Sequence, residues 1–201
     1  LEGDAKFTIA AAAAIAEPGD TIKIRSGVYN EANPIGLRTD VAISGEDLRL
    51  VTLVPNNPNK DFLHVRRGCL VENLSFAGVS HATDHSRCGA VAFPPTENAD
   101  KAVSGYIALG PANEGPSGRW RSPYIRNCTN FMTGSIGMRI NGDHANAAFT
   151  GINSLGQDLK SMVCDSFTQY NEAGIGVSIT NDGYAQLVSI FTIGCEKGIY
   201  V

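Results

Sequence analysis

Four side chains of metal-ligand type, His81, Asp84, His85 and Cys88, stand within one short stretch. On a helix they would share a face, and imidazole, carboxylate and thiolate are the groups that hold zinc. Gly78 and Gly89 bracket the stretch, and no second cluster completes a typical structural zinc site. The stretch therefore reads as a solvated polar loop. No metal ligand and no cofactor-binding residue is assigned.

Glycoside cleavage needs two carboxyl groups about 5–5.5 Å or 6.5–9.5 Å apart. Asp143, Asp165 and Asp182 all fall near strand ends and could converge. Yet Asp143 and Asp182 sit in Asn-Gly-Asp and Asn-Asp-Gly turn sequences, and Asp165 suits a tight bend. No catalytic residue is assigned, and the chain is read as non-enzymatic. A further candidate is Arg119-Trp120-Arg121 with Tyr124, where a ring between guanidinium groups could stack on a sugar or a partner. The plainer reading is a Trp that pins a loop. Trp120 is still the first choice for an interface anchor.

Composition narrows the setting. The 201 residues are 43% hydrophobic and only 18% charged, with 22 glycines, which suits one turn-dense β domain better than a helical one. A net charge of −4 gives no footprint for nucleic acid. No apolar run approaches a bilayer span, so membrane insertion is not expected. The cysteines, 69, 88, 128, 164 and 195, are odd in number and scattered, and read as small buried apolar residues of a chain made in a reducing cytosol. The missing initiator Met and the stop at Val201 lead us to expect a partial or processed chain, its last edge covered by something outside it.

The elements follow from periodicity. Asp4 is a plausible N-cap for a helix from Ala5 to about Ala16, with Phe7, Ala10, Ala11, Ala14 and Ile15 on its inner face. After Pro18-Gly19 the pattern turns to period two at Ile22 and Ile24, and returns at Val41-Ile43 and Leu63-Val65. Asn73, Asn127 and Asp165 sit where a tight bend between two strands is expected, and could form a hydrogen-bonded ladder.

A repeat closes the chain. Moved by 24 positions without a gap, Phe167-Thr168 falls on Phe191-Thr192, and Gly174-Ile175 on Gly198-Ile199. Asp165 and Ser189 would then be equivalent corners, and Ile175 and Ile199 equivalent core positions. Ile136-Gly137-Met138-Arg139-Ile140 also matches Ile175 to Ile179 at an offset of 39. A short β-rich period predicts a solenoid whose core stacks Ile140, Val177, Ile179, Ile199 and Val201. We divide a single domain, 1–201, into a capping helix (1–18), first coils (19–78), a loop-rich excursion (79–122) and later coils (123–201). Ala90-Val91-Ala92-Phe93 and Tyr106-Ile107-Ala108-Leu109 are apolar runs inside the excursion, and 141–160 reads as a second insertion.

Glu17-Pro18-Gly19-Asp20-Thr21-Ile22 followed by Ser26-Gly27-Val28-Tyr29 resembles the first coil of pectin-lyase-like right-handed parallel β-helix proteins. The stretch Ser161 to Asn171, with Gly174 to Ile179 and Gly183 to Thr192, resembles virion structural proteins of tailed bacteriophages, especially cyanophages. The resemblance implies an all-β, single-stranded parallel β-helix in a tail, baseplate or spike, assembled in the host cytoplasm. It implies assembly with copies of itself, as a homotrimer, and with neighbouring virion proteins. The alternative is an adsorption or tailspike protein that binds or degrades a host surface polysaccharide.

Overall fold

The computed structural model describes residues 5–58, 60–78, 105–109, 122–142 and 161–201, with 105–109 described by backbone alone. Among these residues it is mostly β-strand, with one short helix and two parallel sheets. The first sheet contains β1 (Thr21–Ile24), β2 (Gly27–Glu31), β4 (Ala42–Gly45), β5 (Val51–Pro55), β7 (Leu70–Ala77), β9 (Tyr124–Thr133), β11 (Ser161–Glu172) and β13 (Tyr184–Ile193). The second contains β3 (Ile35–Gly36), β6 (Leu63–Val65), β8 (Gly105–Leu109), β10 (Ile136–Asn141), β12 (Ile175–Thr180) and β14 (Lys197–Tyr200). From β6 onward, successive strands alternate between the two sheets.

Parallel register stacks like on like. Ile22, Ile43, Val71, Ile125, Cys164 and Leu187 form one inward row of the first sheet. Ile35, Leu63, Ile107, Met138, Val177 and Ile199 are in register across the second. Ile43, Val71, Ile125, Leu63, Met138 and Val177 are fully buried, each contributing about 1.5–3 kcal/mol of apolar burial.

The long strands bend where a residue enters the left-handed region, at Asn73 (φ 58°) in β7 and Asn127 (φ 47°) in β9. Asn carries that conformation at low cost because its short polar side chain can bond locally. The Asn127 amide donates to Asn73 Oδ1 at 2.7 Å, the expected ladder contact. In β11 the bend falls on Ser166 (φ 54°) and not on Asp165, and in β13 on Ser189 (φ 51°). Asp165 instead pairs with Val188 in register.

The 24-residue repeat is corrected in the same way. β11 pairs with β13 at a step of 23, Phe167 opposite Ile190, and β12 with β14 at a step of 22, Val177 opposite Ile199. A one-residue slip turns a side chain to the other face, so Phe167 is buried while Phe191 is exposed. Ile199 and Val201 are exposed rather than core. Val41-Ile43 does belong with Ile22-Ile24, but the partner of Ile22 is Ile43, and Leu63–Val65 lies in the other sheet. The 39-residue match holds, with Ile136, Met138 and Ile140 opposite Ile175, Val177 and Ile179.

The helix α1 spans only Ile9–Ile15, capped by the Thr8 hydroxyl, which accepts from Ala11 N at 3.1 Å. The Glu31 carboxylate on β2 accepts from Ile9 N and Ala10 N, fixing the start and the rotation of the helix from outside it. Its buried stripe is Ile9, Ala13 and Ala16, while Phe7 and Ile15, expected inside, are exposed. The apolar run Tyr106–Leu109 is strand, as part of β8. Ala90–Phe93, with the rest of 79–104 and 110–121, lies outside the described residues.

Between the sheets lies a polar seam. Phe76, Asn130, Gln169 and Thr192 are in register across the first sheet, and Asn130 and Gln169 are fully buried. They face Gly137 and Gly176 of the second sheet, where a Cβ would collide with Gln169 and with Thr192. The glycine of each Ile-Gly pair, Ile136-Gly137 and Ile175-Gly176, is thus a space requirement. Nearby, the buried Asn171 amide donates to the carbonyls of Ser135 (2.6 Å) and Ile175 (2.9 Å), closing the corner between β11 and β12.

Candidate functional site

The outward row of the first sheet collects charge. Lys23, Ser44, Glu72, Arg126, Asp165 and Val188 are neighbours in register on β1, β4, β7, β9, β11 and β13. Lys23 Nζ donates to Ser44 Oγ at 3.1 Å, and Arg126 Nε donates to Glu72 Oε2 at 2.7 Å. Burial alone would raise the Glu72 carboxyl, but hydrogen bonds from Arg126 and Ser44 and the adjacent cations outweigh it and hold the pKa below the ordinary 4.5. Hydrogen bonding to Glu72 raises Arg126 in turn. A general acid for glycoside cleavage needs the opposite shift. Glu72 acts here as a fixed anion that locks β7 to β9.

Tyr124 stands beside this row. Its hydroxyl donates to Asp165 Oδ2 at 3.4 Å, and the Arg126 guanidinium lies 5.8 Å from its ring centroid. Tyr124 therefore makes a cation–π contact, with Arg126 as the cation. Arg119, Trp120 and Arg121 lie outside the described residues, as do His81, Asp84, His85, Cys88 and Asp143. Asp165 and Asp182 are placed apart in role: Asp165 accepts from Tyr124 and from the Ser166 hydroxyl on β11, and Asp182 is an exposed turn residue with φ 56°. Among the described residues no group of three or more His, Cys, Asp or Glu could hold a metal ion. No described helix is long and apolar enough to cross a membrane.

Beyond the bends, the outer face opens into a groove of about 490 Å³. The bend residues Asn127, Ser166 and Ser189 line one side. Thr129, Thr168 and Phe191 follow in register, then Phe131 and Tyr170. Phe131 and Tyr170 are stacked, with centroids 5.4 Å apart and planes 8° from parallel. Leu48 and Arg49 close one end. Sequence reasoning missed this groove because its side chains come from strands about 20–40 positions apart, whose register the 24-residue alignment misplaces.

Neither family models, curated proteins nor solved structures give a match to this chain.

A third polar group lies at the second sheet. Asp61 accepts from Arg139, with Nε at 3.3 Å, and lies 2.8 Å from His64 Nε2. His64 and Arg139 are in register with Ala108 between them, so this ion pair ties β10 to the segment that precedes β6. Burial pushes the Cys128 thiol up to about 12 and raises that of Cys164 as well.

Proposed function

We propose that the chain is a right-handed, single-stranded parallel β-helix that serves as a rigid structural element in the particle of a tailed bacteriophage. The observation that supports it best is the path of the chain. Each new strand of a sheet pairs in parallel with the strand laid down one circuit earlier, while the chain passes between sheets. Such stacking supplies stiffness without chemistry, since each layer rests on its neighbours. Right-handedness follows the usual chirality of parallel crossovers. In this reading α1 caps the first layer, its buried stripe joining the core beside Ile24 and Ile35.

Assembly with further copies, as a homotrimer, and with neighbouring particle proteins completes the proposal. Tyr184 and Val188 on β13 and Ile199 on β14 leave large apolar side chains exposed, a composition that favours burial against protein. The phage assignment rests on the resemblance of residues 161–192.

Immunogold labelling of purified phage particles with an antibody to this chain tests the role. Labelling at the tail, baseplate or spike is expected, and particles that carry the gene yet never label would refute it. Incubation with host envelope polysaccharide should release no new reducing ends.

A further inference from the structure

We propose that Glu31 is a latch holding α1 closed over the first layer, and that its release lets copies of this chain stack head to tail. The proposal rests on the parallel stack of the proposed function, not on its place in a particle. The two ends of that stack match. Among the described residues β1 and β2 pair only with β4 and β5, and β13 pairs only with β11. β1 and β2 carry four and five residues, against ten in β13. In the second sheet β3 and β14 are the two end strands. The inward row of the first sheet runs from Ile22 to Leu187, and the row of the second from Ile35 to Ile199. A second copy set on end in the same parallel sense would carry both rows on, Leu187 beside Ile22 and Ile199 beside Ile35 of the next copy. A contact between two different surfaces, repeated along one axis, gives an open series.

The helix α1 stands in the way. It contacts β1, β2 and β3, and its Ile9 and Ala13 share a core with Ile24 and Ile35. Yet it holds on weakly by its own means. Seven residues fall below the roughly 12–15 at which a helix is stable alone. Its first turn has no acidic residue and its last no basic one, and its buried side chains are one isoleucine and alanine. Glu31, 1% exposed, supplies the missing anion, accepting from Ile9 N at 2.8 Å and Ala10 N at 3.1 Å. At the far end the exposed Arg38 donates to the Ala14 carbonyl at 3.4 Å and pairs with Glu17, contacts that water screens. The buried tie therefore comes from β2, and its loss should open α1 as a local unit while the strands stay paired.

Hydrogen exchange read by mass, with sedimentation velocity on the same samples, tests both steps. The wild type should show a protected α1 and one discrete species. Glu31→Ala should speed exchange across residues 9–16 at least about tenfold, since each bond to a charged acceptor is worth that much, while β9 and β11 stay protected. It should then sediment as a concentration-dependent series without an upper limit. Glu31→Gln, which keeps the size and one acceptor oxygen, should fall between. Lys23 and Val188 end the outward row, so in the Glu31→Ala background Val188→Lys would set two cations side by side across the contact and Val188→Glu an ion pair. The first should move the series to higher concentration and the second to lower, up to about fivefold either way. Unchanged protection of α1 in Glu31→Ala, an open α1 without the series, or shifts of one sign from both Val188 changes would overturn the proposal. Loss of protection in β9 and β11 in both Glu31 variants would overturn it too, since Glu31 would then hold the stack and not the lid. A wild type with β9 and β11 unprotected would instead refute the stack itself.

Discussion

Replacing Gly137 by Ala tests the packing of the two sheets at its tightest point. The new Cβ would overlap Gln169 Oε1 and lie 2.5 Å from Gln169 Cδ and 2.8 Å from the Gly176 carbonyl oxygen. An exposed glutamine would swing aside, but Gln169 is fully buried, so the sheets or the seam must shift. Overpacking of this kind costs about 1–3 kcal/mol, and backbone on one side places Gly137→Ala in the upper part of that range. At this chain length a loss of 2–3 kcal/mol lowers the melting temperature by roughly 4–12 °C. Gln169→Ala removes the first two obstacles. Among the described residues neither polar atom of Gln169 has a hydrogen-bond partner, so truncation relieves an unsatisfied amide while opening a cavity. Urea unfolding of the wild type, both single variants and the double variant should therefore give a loss in the double variant smaller than the sum, by about 0.5–3 kcal/mol. Additive losses would refute the contact between residue 137 and the Gln169 amide.

The Glu72–Arg126 pair makes stability depend on pH. Because the folded pKa of Glu72 lies below its ordinary 4.5, the carboxylate's contribution is complete above that value and is lost as the pH falls through the folded pKa. Urea midpoints should then show the wild type ahead of Glu72→Gln at pH 7, by up to about 1 kcal/mol since Arg126 is half exposed, and level with it in strong acid. Iodoacetamide at mild alkaline pH, read by peptide mass, should leave Cys128 and Cys164 unmodified in the folded protein and label both in urea, because burial raises both thiols.

What the sequence discloses here is local. The period-two run at Ile22-Ile24 marks a strand because its isoleucines turn to the core while Thr21 and Lys23 stay exposed, and Asn73 and Asn127 mark bends because few side chains accept a positive φ. What depends on the partner strand stays hidden. The helix begins at Ile9 because Glu31, more than twenty residues away, caps it. Ser166 takes the bend that Asp165 was expected to take because register with β9 sets the position, and at that level Ser166 aligns with Asn127. The gapless 24-residue match fails since β13 returns after 23 residues and β14 after 22, so shared Phe and Ile letters occupy different faces or levels. The Phe131–Tyr170 stack and the Glu72–Arg126 pair join residues 39 and 54 positions apart, which only register reveals.

The central claim is a rigid parallel stack, and a distance along it tests that claim most directly. Lys23 and Val188 stand at the two ends of the outward row of the first sheet, five inter-strand steps apart through Ser44, Glu72, Arg126 and Asp165. At about 4.8 Å per step, spin labels at Lys23→Cys and Val188→Cys should lie roughly 24 Å apart. Pulsed electron–electron resonance, with the native cysteines replaced by serine or alanine and folding confirmed, should give a single narrow distribution near that distance. A broad distribution, or a narrow one that departs from it by more than the reach of the labels, would contradict the stack.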